Sequence, residues 1–184
     1  KASKTDALDE FGTSVALSRD GTTLAVGAPY EDGVEGNECA NGLEASGAVY
    51  VYVRNSDGSW RKQAYVKANP PHRDDGFGSA VSLSADGSKL AVGAPGEASR
   101  MGAVYVFSRT EEAWSPDARL VAINGQLNDK FGMSVALSSD GDILAVGATD
   151  EDSDGSSPTN NGMQNAGAVY VFARNLSGWA QPQY

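Results

Sequence analysis

Three blocks of identical length constrain this chain more than anything else in it. Phe11–Ala28, Phe77–Ala94 and Phe131–Ala148 each read F-G-x-[SA]-V-[AS]-L-S-x-D-G-x-x-L-A-V-G-A, and no residue is inserted or lost in any copy. Fixed spacing of this kind is what two paired strands and a tight turn demand, because one extra residue turns every following side chain to the opposite face. Each block therefore reads as a β-hairpin. Val15-Ala16-Leu17 and its counterparts form a short apolar strand. Asp20-Gly21, Asp86-Gly87 and Asp140-Gly141 supply the Asp-Gly pair that favours positive backbone angles in a turn. Leu24-Ala25-Val26-Gly27-Ala28 returns as a run of small apolar residues, a pattern that predicts burial on both faces.

Two further strands complete the unit. Gly47–Val53 recurs as Gly102–Phe107 and Gly167–Phe172. After a polar turn and a tryptophan (Trp60, Trp114, Trp179) a fourth strand follows, at Gln63–Ala68 and Ala118–Ile123. Four strands repeated along a chain describe the blades of a propeller better than a sandwich. The expectation is an all-β protein: a β-propeller segment of three four-stranded blades belonging to a larger ring of about seven. Residues 1–10 finish a preceding strand and cross to blade one at 11–68. Blade two follows at 69–123 and blade three at 124–184, all within one incomplete propeller domain.

Phe11-Gly12 with Gly27-Ala28-Pro29, and Phe77-Gly78 with Gly93-Ala94-Pro95, resemble the FG-GAP repeat of the integrin α-subunit propeller. The third copy has Thr149 where the proline stands in the others. The resemblance implies Phe11, Gly12, Gly27, Phe77, Gly78, Gly93, Phe131, Gly132 and Gly147 as structural residues where neighbouring blades approach. It also implies an extracellular, non-enzymatic role in adhesion. Integrin propellers carry calcium loops between strands one and two, where this chain has only short Asp-Gly turns, so those ligands do not carry over.

Charge sharpens the functional reading. The formal net charge of −10 argues against nucleic-acid binding, which needs a basic face. In a four-stranded meander the loops from strand two to three share one face with the connections between blades. That face receives 16 of the 24 acids, so it is strongly acidic. It also carries the long loops of blades one and three, and loops of more than about 12 residues are often functional. Glu31, Asp32, Glu35, Glu97, Asp150, Glu151 and Asp152 are the candidate ligand-binding residues on it.

Within blade three, Asp150, Asp152 and Asp154, followed by Gly155, match the opening of a calcium loop, where alternate carboxylates converge on a hard cation. The closing position holds Asn161 instead of Glu, so the alternative is a solvated acidic loop. Calcium is the one cofactor the sequence points to. Asn175-Leu176-Ser177 is an N-glycosylation acceptor in the turn between strands three and four. Cys39, the single cysteine, has no internal partner, and His72 stands alone without a nucleophile and an orienting group. No apolar run approaches 18 residues.

The reading is therefore an extracellular binding or adhesion module that recognises a protein or glycan ligand through its acidic loop face. The alternatives are a structural module of a filament or matrix, partnered by neighbouring blades or subunits, and a propeller lectin with sugars held between blades.

Overall fold

The computed structural model describes residues 8–33, 42–153 and 162–180. Each repeat folds at its Asp-Gly turn first. Gly21 donates its N–H to the Ser18 carbonyl at 2.9 Å and sits at φ 68°. The Asp20 carboxylate accepts from the Ser18 hydroxyl at 2.6 Å and from the Thr22 N–H at 3.0 Å. Ser84-Asp86-Ser88 and Ser138-Asp140-Asp142 repeat the arrangement. Only the glycine of each pair adopts positive φ, because the aspartate carboxylate is already satisfied by folding back on its own turn.

The hairpins so closed are β1 (Ser14–Leu17) with β2 (Thr23–Ala28), β5 (Ala80–Leu83) with β6 (Lys89–Ala94), and β9 (Phe131–Leu137) with β10 (Ile143–Ala148). Each continues into β3 (Ala48–Arg54), β7 (Ala103–Thr110) or β11 (Ala168–Asn175), then β4 (Trp60–Val66), β8 (Ala113–Leu120) or β12 (Gly178–Trp179). The result is three antiparallel four-stranded meanders, ordered β1-β2-β3-β4, β5-β6-β7-β8 and β9-β10-β11-β12. First strands of successive sheets lie close together and fourth strands splay apart, as blades do around an axis. The tryptophans lie within the fourth strand instead of preceding it.

Blades join through backbone. Phe77 donates its N–H to the Ser46 carbonyl and Phe131 to the Met101 carbonyl, each at 3.1 Å, forming parallel bridges Gly47↔Phe77 and Gly102↔Phe131. A Cβ on Gly27 would lie 2.0 Å from the Gly78 oxygen, and one on Gly93 2.0 Å from the Gly132 oxygen, so only glycine fits. On the opposite face the hairpin turns link in series, Arg19 N–H to the Ala85 carbonyl and Ala85 N–H to the Ser139 carbonyl.

Side chains fill the remaining space. Phe77 and Phe131 are fully buried, each edge-on to two aromatic rings of its own blade's third strand (Tyr105 and Phe107; Tyr170 and Phe172). The small residues Ala25, Val49 and Val51 of blade one and the large Phe77, Leu90, Tyr105 and Phe107 of blade two form a single cluster. Ala91, Val104 and Val106 meet Phe131, Leu144, Tyr170 and Phe172 at the next junction. A bulge in β4 and another in β8 leave Gln63 and Asp117 without a pairing partner in the ladder and aim them at the following blade. Gln63 accepts from the Trp114 indole at 3.1 Å, and Asp117 faces Arg174 at 3.5 Å. Trp114 thus serves packing between blades, with Arg109 over its ring.

Candidate functional site

The acidic face consists of two layers. The inner layer is set by the glutamate three residues after each Gly-Ala. Glu31, Glu97 and Glu151 are all buried, and each reaches toward the third-strand tyrosine that enters the sheet behind it. The Tyr50 hydroxyl donates to Glu31 and the Tyr105 hydroxyl to Glu97, both at 2.7 Å. Arg119 also clamps Glu97, with its Nε at 2.8 Å. In blade three Asn124 bridges, its amide donating to Glu151 at 2.9 Å while its oxygen accepts from Tyr170 at 2.7 Å. Glu31, Glu97 and Glu151 therefore anchor the loops from below and do not present carboxylates to a ligand, contrary to the expectation from sequence.

Their neighbours hold the long loops shut at the base. Asp32 accepts the Ala45 N–H at 2.8 Å, and Asp152 accepts the Asn165 N–H at 2.7 Å, the same bond in two blades. The Asp before each Phe-Gly is also buried. Asp75 accepts the His72 N–H and Asp129 the Gln126 N–H. Burial pushes both carboxyls above the usual aspartate range, with Glu97 adding to the effect on Asp75 and Glu151 on Asp129. Lys67 is buried beneath the same loops, donating to the Ser46 hydroxyl at 2.7 Å. Burial brings its ammonium down to about 8, partly countered by Glu31, Asp32 and Asp75.

The outer layer lies above these anchors, toward solvent. A depression of 740 Å³ opens between the three blades, with Glu10, Tyr30, Arg73, Asp74, Arg100 and Met133 on its wall. Arg73 is paired with Glu44, and Lys130 with Asp150 at 2.7 Å. Blade two's short loop enters this wall through a left-handed turn, Ala98, Ser99 and Arg100 having φ of 52°, 60° and 66°. Nothing in the residue types Ala-Ser-Arg signals such a conformation, and Tyr30 and Met133 gain their place only when the meander brings three blades together. Glu35 and Asp154 lie outside the described residues, as does Cys39. Of the calcium candidates, Asp150 is engaged by Lys130 and Thr149, and Asp152 by the loop backbone. Among the described residues no three metal-ligating side chains converge. Asn175 is exposed at the end of β11, its side-chain oxygen accepting the Ser177 N–H.

The FG-GAP repeat family matches residues 1–52, 60–107 and 114–172, once per blade. The chain belongs to the FG-GAP family. Human integrin alpha-10 is similar to it, 36% identical in a 156-residue alignment that covers 75% of this chain and 13% of that protein. Solved structures sharing the fold of these FG-GAP blades include hydrazine synthase of Kuenenia stuttgartiensis, at a TM-score of 0.56 and 14% identity, covering 100% of this chain and 38% of that one. The periplasmic gluconolactonase of Pseudomonas aeruginosa matches at a TM-score of 0.52 and 16% identity, over 95% of this chain and 41% of its own. The FG-GAP segment thus spans well under half the length of each, as an arc of a larger propeller, and no helix among its described residues is long and apolar enough to cross a membrane.

Proposed function

We propose that this FG-GAP segment is a non-enzymatic recognition module of an extracellular or cell-surface adhesion protein, binding a protein ligand through its acidic loop face. The observation that carries the reading is the depression walled by Glu10, Tyr30, Asp74 and Arg100, at the meeting point of three blades and beside the base of blade one's long loop. The similarity to integrin alpha-10 supports the adhesion class. Carboxylates at the rim select a ligand with a basic contact patch and speed its approach at low salt. Tyr30, half exposed, supplies the kind of rigid amphipathic contact that dominates binding energy at interfaces. On this reading the inner carboxylates matter indirectly: they fix the loop bases so that the outer residues keep one geometry. A glycan on Asn175 fits the same reading, since it would project from the face opposite the loops.

The test is adhesion of cells, and capture of purified basic extracellular proteins, on surfaces coated with the chain. Tyr30→Ala combined with Asp74→Asn is expected to abolish capture, while Asp57→Asn with Glu112→Gln, outside the depression, leaves it intact. Capture that survives the first pair, or is lost with the second, overturns the assignment of the face.

A further inference from the structure

We infer that the cleft between blades one and two is a binding site for a neutral sugar ring, separate from the depression on the loop face. The cleft lies where the chain leaving β4 faces β8, and it encloses 340 Å³ walled chiefly by Asn69, Tyr105, Phe107, Pro116 and Arg119. That volume is at the lower end of the roughly 300–1,000 Å³ of small-molecule sites, room for one ring. Both walls belong to complete four-stranded blades. Further blades of a larger ring would pack on the other side of blade one and on blade three, and would leave this cleft as it is.

The repeat itself shows which of these residues the fold does not need. The spacing from the end of β4 to Phe77 equals that from the end of β8 to Phe131, so Asn69 aligns with Ile123. Arg119 aligns with Tyr65, since each is paired with the first tyrosine of its own third strand, Tyr105 and Tyr50. Both also reach the glutamate under their own loop. The Tyr65 hydroxyl donates to Glu31 at 3.4 Å, and Arg119 Nε to Glu97 at 2.8 Å. A phenol can thus serve the loop base, and an isoleucine can serve the connection. The guanidinium and the amide at this cleft exceed what the architecture asks for.

Their chemistry selects the ligand. Tyr105, Phe107 and Pro116, the last two paired across the strands, give an apolar wall of three rings. Arg119 places both Nε and Nη2 on one oxygen of Glu97, which fixes the guanidinium, while Nη1 makes no hydrogen bond among the described residues. The exposed Asn69 amide adds a donor and an acceptor side by side. A sugar ring matches this set: C–H groups on its faces for the aromatic wall, neighbouring hydroxyls on its rim for the fork and the amide. Charge disfavours an ion. Arg119 is balanced by Glu97, and Asp117 faces Arg174 at 3.5 Å. The Lys67 ammonium is held by the Ser46 hydroxyl at 2.7 Å, with Glu31, Asp32 and Asp75 around it. A ligand without charge enters such a balanced site at the smallest desolvation cost.

The test titrates the methyl glycosides of glucose, galactose, mannose, fucose and N-acetylglucosamine into the 184-residue chain, with benzoate as the anionic comparison, and follows backbone amide shifts. At least one sugar is expected to move the amides of Asn69, Phe107 and Arg119 saturably, leaving those of Tyr30 and Asp74 in place. Asn69→Ile and Arg119→Tyr each borrow a side chain that this protein already carries at the aligned position, Ile123 and Tyr65, so amide shifts of blade three are expected to stay those of the parent. Each should weaken the sugar about tenfold or more, the equivalent of one or two hydrogen bonds. Pro116→Ala, which thins the apolar wall at an exposed position, gives a third variant should either of these fail to fold. The inference is overturned if no sugar gives saturable shifts up to its solubility limit, or if the shifts fall on the depression. Saturation by benzoate in place of every sugar, or full affinity in all folded variants, overturns it equally.

Discussion

Gly93→Ala is the substitution whose cost follows most directly from the geometry. Gly93 is the penultimate residue of β6 and has ordinary extended backbone, so alanine is conformationally acceptable and should gain about 0.5–1 kcal/mol by restricting the unfolded chain. The new Cβ, however, lands 2.0 Å from the Gly132 oxygen and 3.0 Å from its carbon, both backbone atoms of the next blade. Ordinary contact begins at 3.4 Å, so the blades must part by 1.4 Å at that point. An opening of that size forfeits a quarter or more of the local dispersion energy and strains the Phe131 N–H bond to Met101. Overpacking of this kind costs about 1–3 kcal/mol, and a lost backbone hydrogen bond about 1 kcal/mol more, so after the unfolded-state gain the net loss is expected at about 1–3.5 kcal/mol. Gly147→Ala is the internal control. Its Cβ meets only the Ser134 hydroxyl at 2.4 Å, a side chain free to rotate, so the change should stay within about 1 kcal/mol. Urea unfolding followed by tryptophan fluorescence, at a dilution where copies of the chain are apart, measures both. Equal losses at the two positions, or a loss below about 1 kcal/mol at Gly93, would refute the close approach of blades on which the fold description rests.

Phe77→Ala and Phe131→Ala remove fully buried rings and are each expected to cost about 3–5 kcal/mol in the same assay, whereas Phe11→Ala, at the half-buried edge, should cost visibly less. Lys67→Met tests the buried ammonium. Its folded-state value of about 8 lies below the unfolded 10.5, so the unfolded chain holds the extra proton between those limits and stability rises with pH across them. Methionine should therefore stabilise by about 2–3 kcal/mol below pH 8, with the advantage shrinking by pH 10; a pH-independent effect contradicts the reading. Calcium at the Asp150 loop must compete with Lys130, so a rise in Tm is expected only at millimolar calcium and should be lost in Asp150→Asn with Asp152→Asn.

How much of this was legible beforehand depends on the range of the interaction. The hairpin register is written locally, in the invariant distance from Phe-Gly to Gly-Ala, and the strands fall there. The propeller arrangement follows from repetition of that unit. The role of Glu31 is not local: in sequence it is one acid in a polar loop, and only the hydroxyl of Tyr50, entering from the neighbouring strand, makes it an anchor. Glu97 and Glu151 mislead for the same reason, since a charged loop residue reads as solvated unless its buried partners are known. The left-handed turn at Ala98-Ser99-Arg100 is invisible because its residues have no preference for that region, and the tie from Arg100 to Lys130 that accompanies it comes from the next blade's connection.

The joints between blades have a consequence for how such a chain can grow. Their closest contacts are between main-chain atoms: a carbonyl against a glycine, an N–H on a carbonyl, one turn donating to the next. A joint of that kind does not require matched side chains to change together on both sides. A gene segment encoding one blade can thus be copied and inserted beside its parent with both new seams already closed, leaving the loops above free to diverge toward different partners.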